Sequence, residues 1–497
     1  MHIVHIASEF APIAKAGGLA DVVYGLSKEQ LRAGHKVEVI LPMYDLIHYA
    51  KLDHLLLEQP DLWSLEDNKQ SHNSVFSAVV DGIEIHLISP DHADYYFSKN
   101  TIYGCMNDIE RFLYFSRASY DYLKNRASPP DIIHLHDWPT SLVAPLIKLS
   151  NDNCVLKNSS IAFTIHNMEH QGKCHAAALN RVGLHGLDLR TADLMQDPFD
   201  PSLINLLKGA IVFSDVISTV SPNYAQEIQT PPMGFGLSET LLKHKNKLTG
   251  ILNGIEIDSW NPAIDQTLSK NYPTNPTYLD TILEMKKKNK TILLEKLSMT
   301  PSSGPLIVCI SRLVHQKGPE LIQTAIHTTL EKGGSFILLG TCHDPEIERD
   351  FLHIKKHYHH HPHLFIGLIF NEELARQTFA AADAIIIPSI FEPCGLTQMI
   401  SMRYGTVPIA RNTGGLADTI FDINSPSTPK LKRNGFLFDC PTPNEIQHTL
   451  NRVFECFEYH YEDWKNLIRA GLNEDLSWHL PQKQYQKLYE TVLKHTG

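Results

Sequence analysis

Residues 384–398 read Ala384-Ile385-Ile386-Ile387-Pro388-Ser389-Ile390-Phe391-Glu392-Pro393-Cys394-Gly395-Leu396-Thr397-Gln398. An unbroken apolar run closed by proline predicts a strand covered on both faces, as strands of a parallel sheet are. Ser389 to Pro393 is then the loop leaving the carboxyl end of that strand. Gly395, Leu396 and Thr397 open the following helix, so bare backbone N–H groups and the positive helix end face an anion. Glu392 sets a carboxylate beside that anion, where a sugar hydroxyl could be held. The stretch reads as a site for a nucleotide-activated sugar.

The same pattern recurs upstream. Leu306 to Ile310 predicts a strand, and Pro319 to Lys332 a helix with proline at its entrance. The loop joining them carries Arg312 and Lys317, two cations that suit a diphosphate leaving group, although surface cations would look the same. Ser335–Gly340 and His363–Gly367 predict further strands. The run Lys286-Lys287-Lys288-x-Lys290 reads as the solvated face of a helix. The histidine-rich run from His353 to His363 reads as a solvated turn without ordered metal-ligand spacing.

The first half opens on a strand at His2–Ala7, a loop, and a helix from Gly17-Gly18 to about Gly34, with Val37–Leu41 as the next strand. The glycine pair lets backbone approach a ligand, with Lys15 as a point charge for a diphosphate; a plain glycine turn with a solvated lysine is the alternative. The pair is not a dinucleotide Gly-x-Gly-x-x-Gly fingerprint. Strands follow at Ile83–Ile88, Ile132–Leu135, Ile161–Ile165 and Val216–Val220, with helices such as Asp108–Lys124 and Leu203–Phe213 among them. Alternation of this kind predicts a parallel, doubly wound α/β sheet, whose ligand crevice lies beyond the carboxyl ends of the strands. Asp137 and His166 stand at two such ends, as sugar contacts or as satisfied structural hydrogen bonds. Tyr95, Tyr96, Phe97 and Tyr103 suggest a loop that stacks on sugar rings, or a packed loop. Adjacent strand residues point to opposite faces, so His134, His136 and Asp137 are not expected to form a metal set.

At 497 residues the chain predicts two domains, and a net charge of −11 argues against a nucleic-acid or membrane-surface binder. Eight cysteines without a Cys-x-x-Cys pair suggest reduced thiols and a cytoplasmic location. The chain opens directly on a strand, with no signal peptide and no apolar stretch of membrane-spanning length.

Seven motifs in one order carry a family resemblance. They are Lys15-x-Gly17-Gly18-Leu19-Ala20-Asp21-Val22, His136-Asp137-Trp138, Thr164-Ile165-His166-Asn167, Asn253-Gly254-Ile255, Ser311-Arg312-Leu313 with Gln316-Lys317-Gly318, Phe391 to Gln398, and Thr413-Gly414-Gly415-Leu416-Ala417-Asp418-Thr419. The chain resembles the bacterial glycogen synthases and plant starch synthases over nearly its whole length. That resemblance implies the GT-B fold, two doubly wound Rossmann-like domains facing each other across a deep cleft. It implies an N-terminal domain over 1–247 on the acceptor side, a donor-binding domain over 248–475, and a C-terminal helix over 476–497 packing back on the N-terminal domain.

The resemblance also implies roles. Lys15, Gly17, Gly18 and Asp21 would lie near the diphosphate and the transferred glucose, and Asp137, His166 and Asn253 around the glucose and acceptor end. Arg312 and Lys317 would neutralise the leaving diphosphate with the backbone of Gly395, Leu396 and Thr397. Glu392 would hold glucose hydroxyls, Phe370 would stack on the base, and Tyr95 and Tyr96 are acceptor candidates. The implied reaction moves glucose from ADP-glucose, with UDP-glucose as the alternative donor, to the non-reducing 4-hydroxyl of an α-1,4-glucan with retention. No metal or other cofactor is implied, in keeping with the lack of any Asp-x-Asp. Position 400 is Ile where the wider retaining group carries a second glutamate, as in the narrower glycogen synthases. A retaining transferase with a small sugar acceptor, a phosphorylase and a non-catalytic glucan binder are the competing readings. Lys15, Arg312, Lys317 and Glu392 together weigh against the last. Oligomeric state is not legible.

Overall fold

The computed structural model describes residues 1–150, 154–369 and 371–493. In chain order the strands are β1 (His2–Ile6), β2 (Lys36–Pro42), β3 (Asp53–Glu66), β4 (Lys69–Val80), β5 (Ile83–Pro90), β6 (Ile132–His136), β7 (Ser160–Ile165), β8 (Lys173–His175), β9 (Leu203–Asn205), β10 (Val216–Thr219), β11 (Leu248–Gly250), β12 (Leu306–Ile310), β13 (Ser335–Leu339), β14 (Leu364–Gly367), β15 (Ala384–Ile387), β16 (Val407–Arg411) and β17 (Phe436–Phe438). One sheet has the order β11-β10-β7-β6-β1-β2-β5-β4-β3, a second β14-β13-β12-β15-β16-β17, and β8 and β9 form a short pair. All pairings are parallel except β3–β4, β4–β5 and β8–β9. The α/β doubly wound class expected from the alternating strands and helices is what the chain forms.

The antiparallel β3–β4 hairpin was not expected. Leu55, Leu56 and Leu57 are exposed on β3 and its register shifts near them, so this edge strand lacks the alternation that marks a half-buried strand. A second correction concerns the lysine run. Lys286 is buried and donates to the carbonyls of Ala380 (3.1 Å) and Tyr404 (3.0 Å) and to Thr406 Oγ1 (2.9 Å), so it caps two helix ends instead of facing water. The histidine-rich run, read as a solvated turn, includes the last part of the helix Pro345–His357.

The chain divides into one unit of Met1–Gly254 with the stretch from Trp478, and a second of Ile255–Ser477. The division comes after residue 254, whereas the sequence placed it after 247, because β11 pairs with β10 and holds 248–250 in the first sheet. The helix His479–Leu493 belongs to the first unit. Trp478, Tyr485, Leu488 and Tyr489 pack with Ile3, Val22, Leu26, Ile132, Ala162 and Val216 in one buried cluster. Gly25, on the inner face of the helix Gly18–Arg32, makes room for this: a Cβ there would meet Trp478 Nε1 at 2.0 Å. Gly25→Ala should therefore overpack the cluster and cost about 1–3 kcal/mol. A melting temperature equal to that of the parent would refute this account of Gly25.

In the first sheet strand order reverses between β1 and β6, and in the second between β12 and β15. Ligands of doubly wound sheets bind beyond the carboxyl ends of strands at such reversals. The loops leaving these four strands are therefore where a site is to be sought in each unit.

Candidate active site

In the first unit the loop after β1 runs from Ala7 to Gly17 and enters the helix Gly18–Arg32. Its organiser is a residue the sequence reading passed over. Glu9 is buried and accepts N–H bonds from Ala16 (2.6 Å) and Gly17 (2.7 Å) and the Tyr103 hydroxyl proton (2.8 Å). Burial pushes its carboxyl pKa up, against these hydrogen bonds. The turn carrying Lys15, Gly17 and Gly18 is thus held from beneath by one carboxylate. Lys15 reaches across to Asp21, Nζ to Oδ1 2.7 Å, with both side chains part-exposed. A solitary acid between an apolar strand and a Gly-Gly turn was the available signal for Glu9.

The loop after β6 begins with Asp137, a non-glycine residue at φ +57°, ψ −177°. That conformation costs on the order of 1–3 kcal/mol and marks sites where the surroundings dictate backbone. It directs the half-buried carboxylate at the loop after β7, where Oδ1 accepts the His166 N–H at 2.7 Å. Burial raises the Asp137 pKa to about 7, opposed by the N–H bonds from His166 and Asn167 and reinforced by the charge of Glu9. Unfolded aspartate ionises near pH 4, so between about pH 4 and 7 the native state binds more protons and stability falls as pH rises. Asp137→Asn should remove that slope, its melting temperature gaining on the parent from pH 4.5 to 8; parallel curves would contradict it. Asn253 is buried, and its Oδ1 has no hydrogen-bond partner among the described residues, an open acceptor that a ligand could satisfy.

Of the two tyrosines read as acceptor candidates, Tyr95 is exposed, whereas Tyr96 is a core residue. Tyr96 stacks on His92 at 4.0 Å and donates to Glu66 Oε1 at 2.6 Å, so its ring is not open to a ligand. An acidic partner inside the sheet, invisible in the local sequence, draws it inward.

In the second unit the loops after β12 and β15 are tied to each other. Gly318 is left-handed (φ +65°), and a Cβ there would lie 2.4 Å from the Pro388 carbonyl oxygen. Gln316 seals the contact by accepting the Ile390 N–H (2.8 Å) and donating to the Phe391 carbonyl (3.1 Å). Lys317 Nζ then meets Glu392 Oε2 at 2.5 Å, and Ser389 Oγ donates to the same oxygen at 2.8 Å. Glu392 is buried, so its charge is compensated in place. Arg312 is exposed and carries no ion pair among the described residues.

Gly395 (φ +73°) and Leu396 lead into the helix Thr397–Arg403, whose first N–H groups lack intrahelical partners. The Thr413-Gly414-Gly415 motif acts on the same loop: Gly415 N–H donates to the carbonyls of Glu392 (3.2 Å) and Pro393 (3.1 Å). Arg411 anchors the loop from the side, donating to the Ile390 carbonyl. Phe370 lies outside the described residues.

The Lys15-Gly17-Gly18 turn and Asp137 follow the switch-point strands β1 and β6, and Arg312, Lys317, Glu392 and Gly395 follow β12 and β15, whereas His166 follows β7 and Asn253 follows β11. Two doubly wound units so equipped define the class of GT-B glycosyltransferases. Comparison with known proteins is more specific. Residues 2–243 match the starch synthase catalytic domain and residues 296–470 the glycosyl transferases group 1. A glycogen synthase of Protochlamydia amoebophila is 45% identical over 99% of both chains. The solved structure of the catalytic domain of starch synthase IV from Arabidopsis thaliana, bound to ADP and acarbose, is 43% identical over 99% of both chains with a TM-score of 0.94. A sucrose-phosphate synthase from Thermosynechococcus elongatus shares the fold at 16% identity and a TM-score of 0.58. The chain belongs to the glycogen and starch synthase family and is a hexosyltransferase of glycogen biosynthesis. No helix among the described residues is long and apolar enough to cross a membrane.

Proposed function

We propose that this chain transfers glucose from ADP-glucose to the non-reducing 4-hydroxyl of an α-1,4-glucan with retention, releasing ADP. The observation that carries the reading is the Lys317–Glu392 pair at the switch point of the second sheet, beside the N–H groups of Gly395 to Thr397. A cation and backbone donors fixed in advance suit a diphosphate whose charge grows as the glycosidic bond breaks. Arg312, on the loop after β12, adds a second cation. Glu392, compensated by Lys317, holds glucose hydroxyls as an acceptor; within the first unit the Lys15-Gly17-Gly18 turn is an anion contact and Asp137, His166 and Asn253 are sugar contacts. The bond from glucosyl C1 to the phosphate oxygen breaks and that from C1 to the acceptor oxygen forms on the same face. The acceptor's proton passes to the leaving phosphate, so no glycosidase-type carboxylate pair is called for.

ADP as the nucleotide is supported by the 43% identical starch synthase IV domain, whose structure is bound to ADP and acarbose. The test is parallel incubation of glycogen primer with labelled ADP-glucose or UDP-glucose, with and without chelator. Chelator-insensitive incorporation from ADP-glucose is expected. Preferential use of UDP-glucose would overturn the donor assignment, and loss of activity with chelator would overturn metal independence.

A further inference from the structure

A chain of buried hydrogen bonds crosses the first unit from the helix Gly18–Arg32 to His166. Gln30 Nε2 donates to the Tyr489 hydroxyl (3.2 Å), which leaves Gln30 Oε1 2.8 Å from His5 Nε2. His5 Nδ1 lies 3.0 Å from His136 Nε2, and His136 Nδ1 lies 3.0 Å from His166 Nε2. A branch joins Tyr489 OH to His134 Nδ1 (2.8 Å), and His134 Nε2 to Thr164 Oγ1 (2.6 Å). One ring nitrogen from each of His5, His134 and His136 lies within 4.8 Å of the other two, a spacing a metal could use, and each ring has a second nitrogen, six in all. All six of them, however, already have a hydrogen-bond partner.

The order of protons along this chain follows from one amide. A neutral imidazole carries one N–H and one bare nitrogen. Gln30 Oε1 can only accept, so the His5 proton sits on Nε2 and Nδ1 is bare. A bare Nδ1 needs a donor, which puts the His136 proton on Nε2. The same step puts the His166 proton on Nε2 and leaves its Nδ1 an acceptor. Burial keeps the rings neutral, lowering the pKa of His5 to about 4 and of His166 to about 3, and holding His134 and His136 well below the usual value.

We propose that Gln30, His5 and His136 are positioning residues that hold His166 as an Nδ1 acceptor for a sugar hydroxyl. The sugar contact rests on the proposed function; the proton order does not. Turning the Gln30 carboxamide over would reverse every proton and make His166 Nδ1 a donor, so the side chain on one helix sets the character of a ring three links away. Tyr489, from the C-terminal helix, accepts the Nε2–H of that carboxamide in the arrangement seen.

The test is histidine-selective nitrogen-15 labelling of the full chain, with tautomers read from long-range proton–nitrogen correlations and His166 assigned by loss of its signals in His166→Gln. His5, His136 and His166 are expected as Nε2–H tautomers from about pH 6 to 9. Gln30→Met should mix the tautomers and lower kcat about three- to tenfold, the worth of one ordinary hydrogen bond, without raising the KM for glucan. Gln30→Glu, which keeps an acceptor toward His5, should restore both. Tyr489→Phe provides a near-isosteric check if Gln30→Met folds poorly, and should also mix the tautomers. A proton on His166 Nδ1 in the parent, or tautomers unmoved by both Gln30→Met and Tyr489→Phe, would overturn the proposal. Tautomers that shift while kcat stays constant would uphold the proton order and refute the placement of His166 against the sugar.

Discussion

Lys317→Ala and Glu392→Ala should each lower kcat by roughly 10²- to 10³-fold, the usual cost of removing one preorganised charge-stabilising group. The two side chains meet at 2.5 Å with little exposure, so neither acts alone. Removing Lys317 leaves a buried carboxylate supported, among the described residues, only by Ser389 Oγ, and breaking such a pair costs on the order of 3–5 kcal/mol. Two consequences separate catalysis from folding. The double alanine variant should lose little more activity than either single one, because the groups act as a unit. Glu392→Gln in a Lys317→Met background should regain much of the lost melting temperature, since no charge is stranded, without regaining turnover. Full activity in either single variant would sink the assignment of this site.

Gly414→Ala should be as damaging by a different route. Gly414 has φ +47°, and a Cβ there would lie 1.8 Å from the Glu392 carbonyl oxygen, so either the Glu392 loop or the helix Gly414–Thr419 must move. Catalytic groups misplaced by about 1 Å commonly lose on the order of 10²-fold, and the strain should cost the second unit about 2–4 kcal/mol. Gly333→Ala is the control. It shares the left-handed backbone (φ +76°), but the nearest atom to its Cβ would be Ser303 Oγ at 3.5 Å. That change should cost about 1 kcal/mol and leave kcat intact. Equal losses of activity in the two variants would show that backbone conformation, not the close approach to Glu392, makes Gly414 necessary.

Among the site residues, those legible in the sequence sit at local punctuation. Arg312, Lys317, Glu392, Asp137 and His166 each follow a short apolar run, and the end of such a run in a doubly wound sheet is where ligands bind. Gln30, His5 and Arg411 were not legible in that way. Their partners lie many residues off in the chain, as Gln30 and Tyr489 do across 459 positions, and nothing near them in sequence announces the pairing. Tyr96 shows the opposite error. Its aromatic neighbours suggested a sugar platform, and Glu66, thirty residues away on β3, takes its hydroxyl into the core.

Chain length and the motif resemblance pointed to two doubly wound units, while periodicity and punctuation determined the α/β class and the loops that carry the polar clusters. These depend on each segment's own pattern of apolar residues and turns, which neighbours in the chain dictate. Tertiary structure alone decided which charges are compensated, which lysines are buried, and which glycines are obligatory. It joined Lys317 to Glu392, buried Lys286 under two helix ends, and pressed Gly414 against the Glu392 carbonyl. Those outcomes depend on distances between segments far apart in sequence, set by strand order and packing, and a linear pattern does not encode them where they occur.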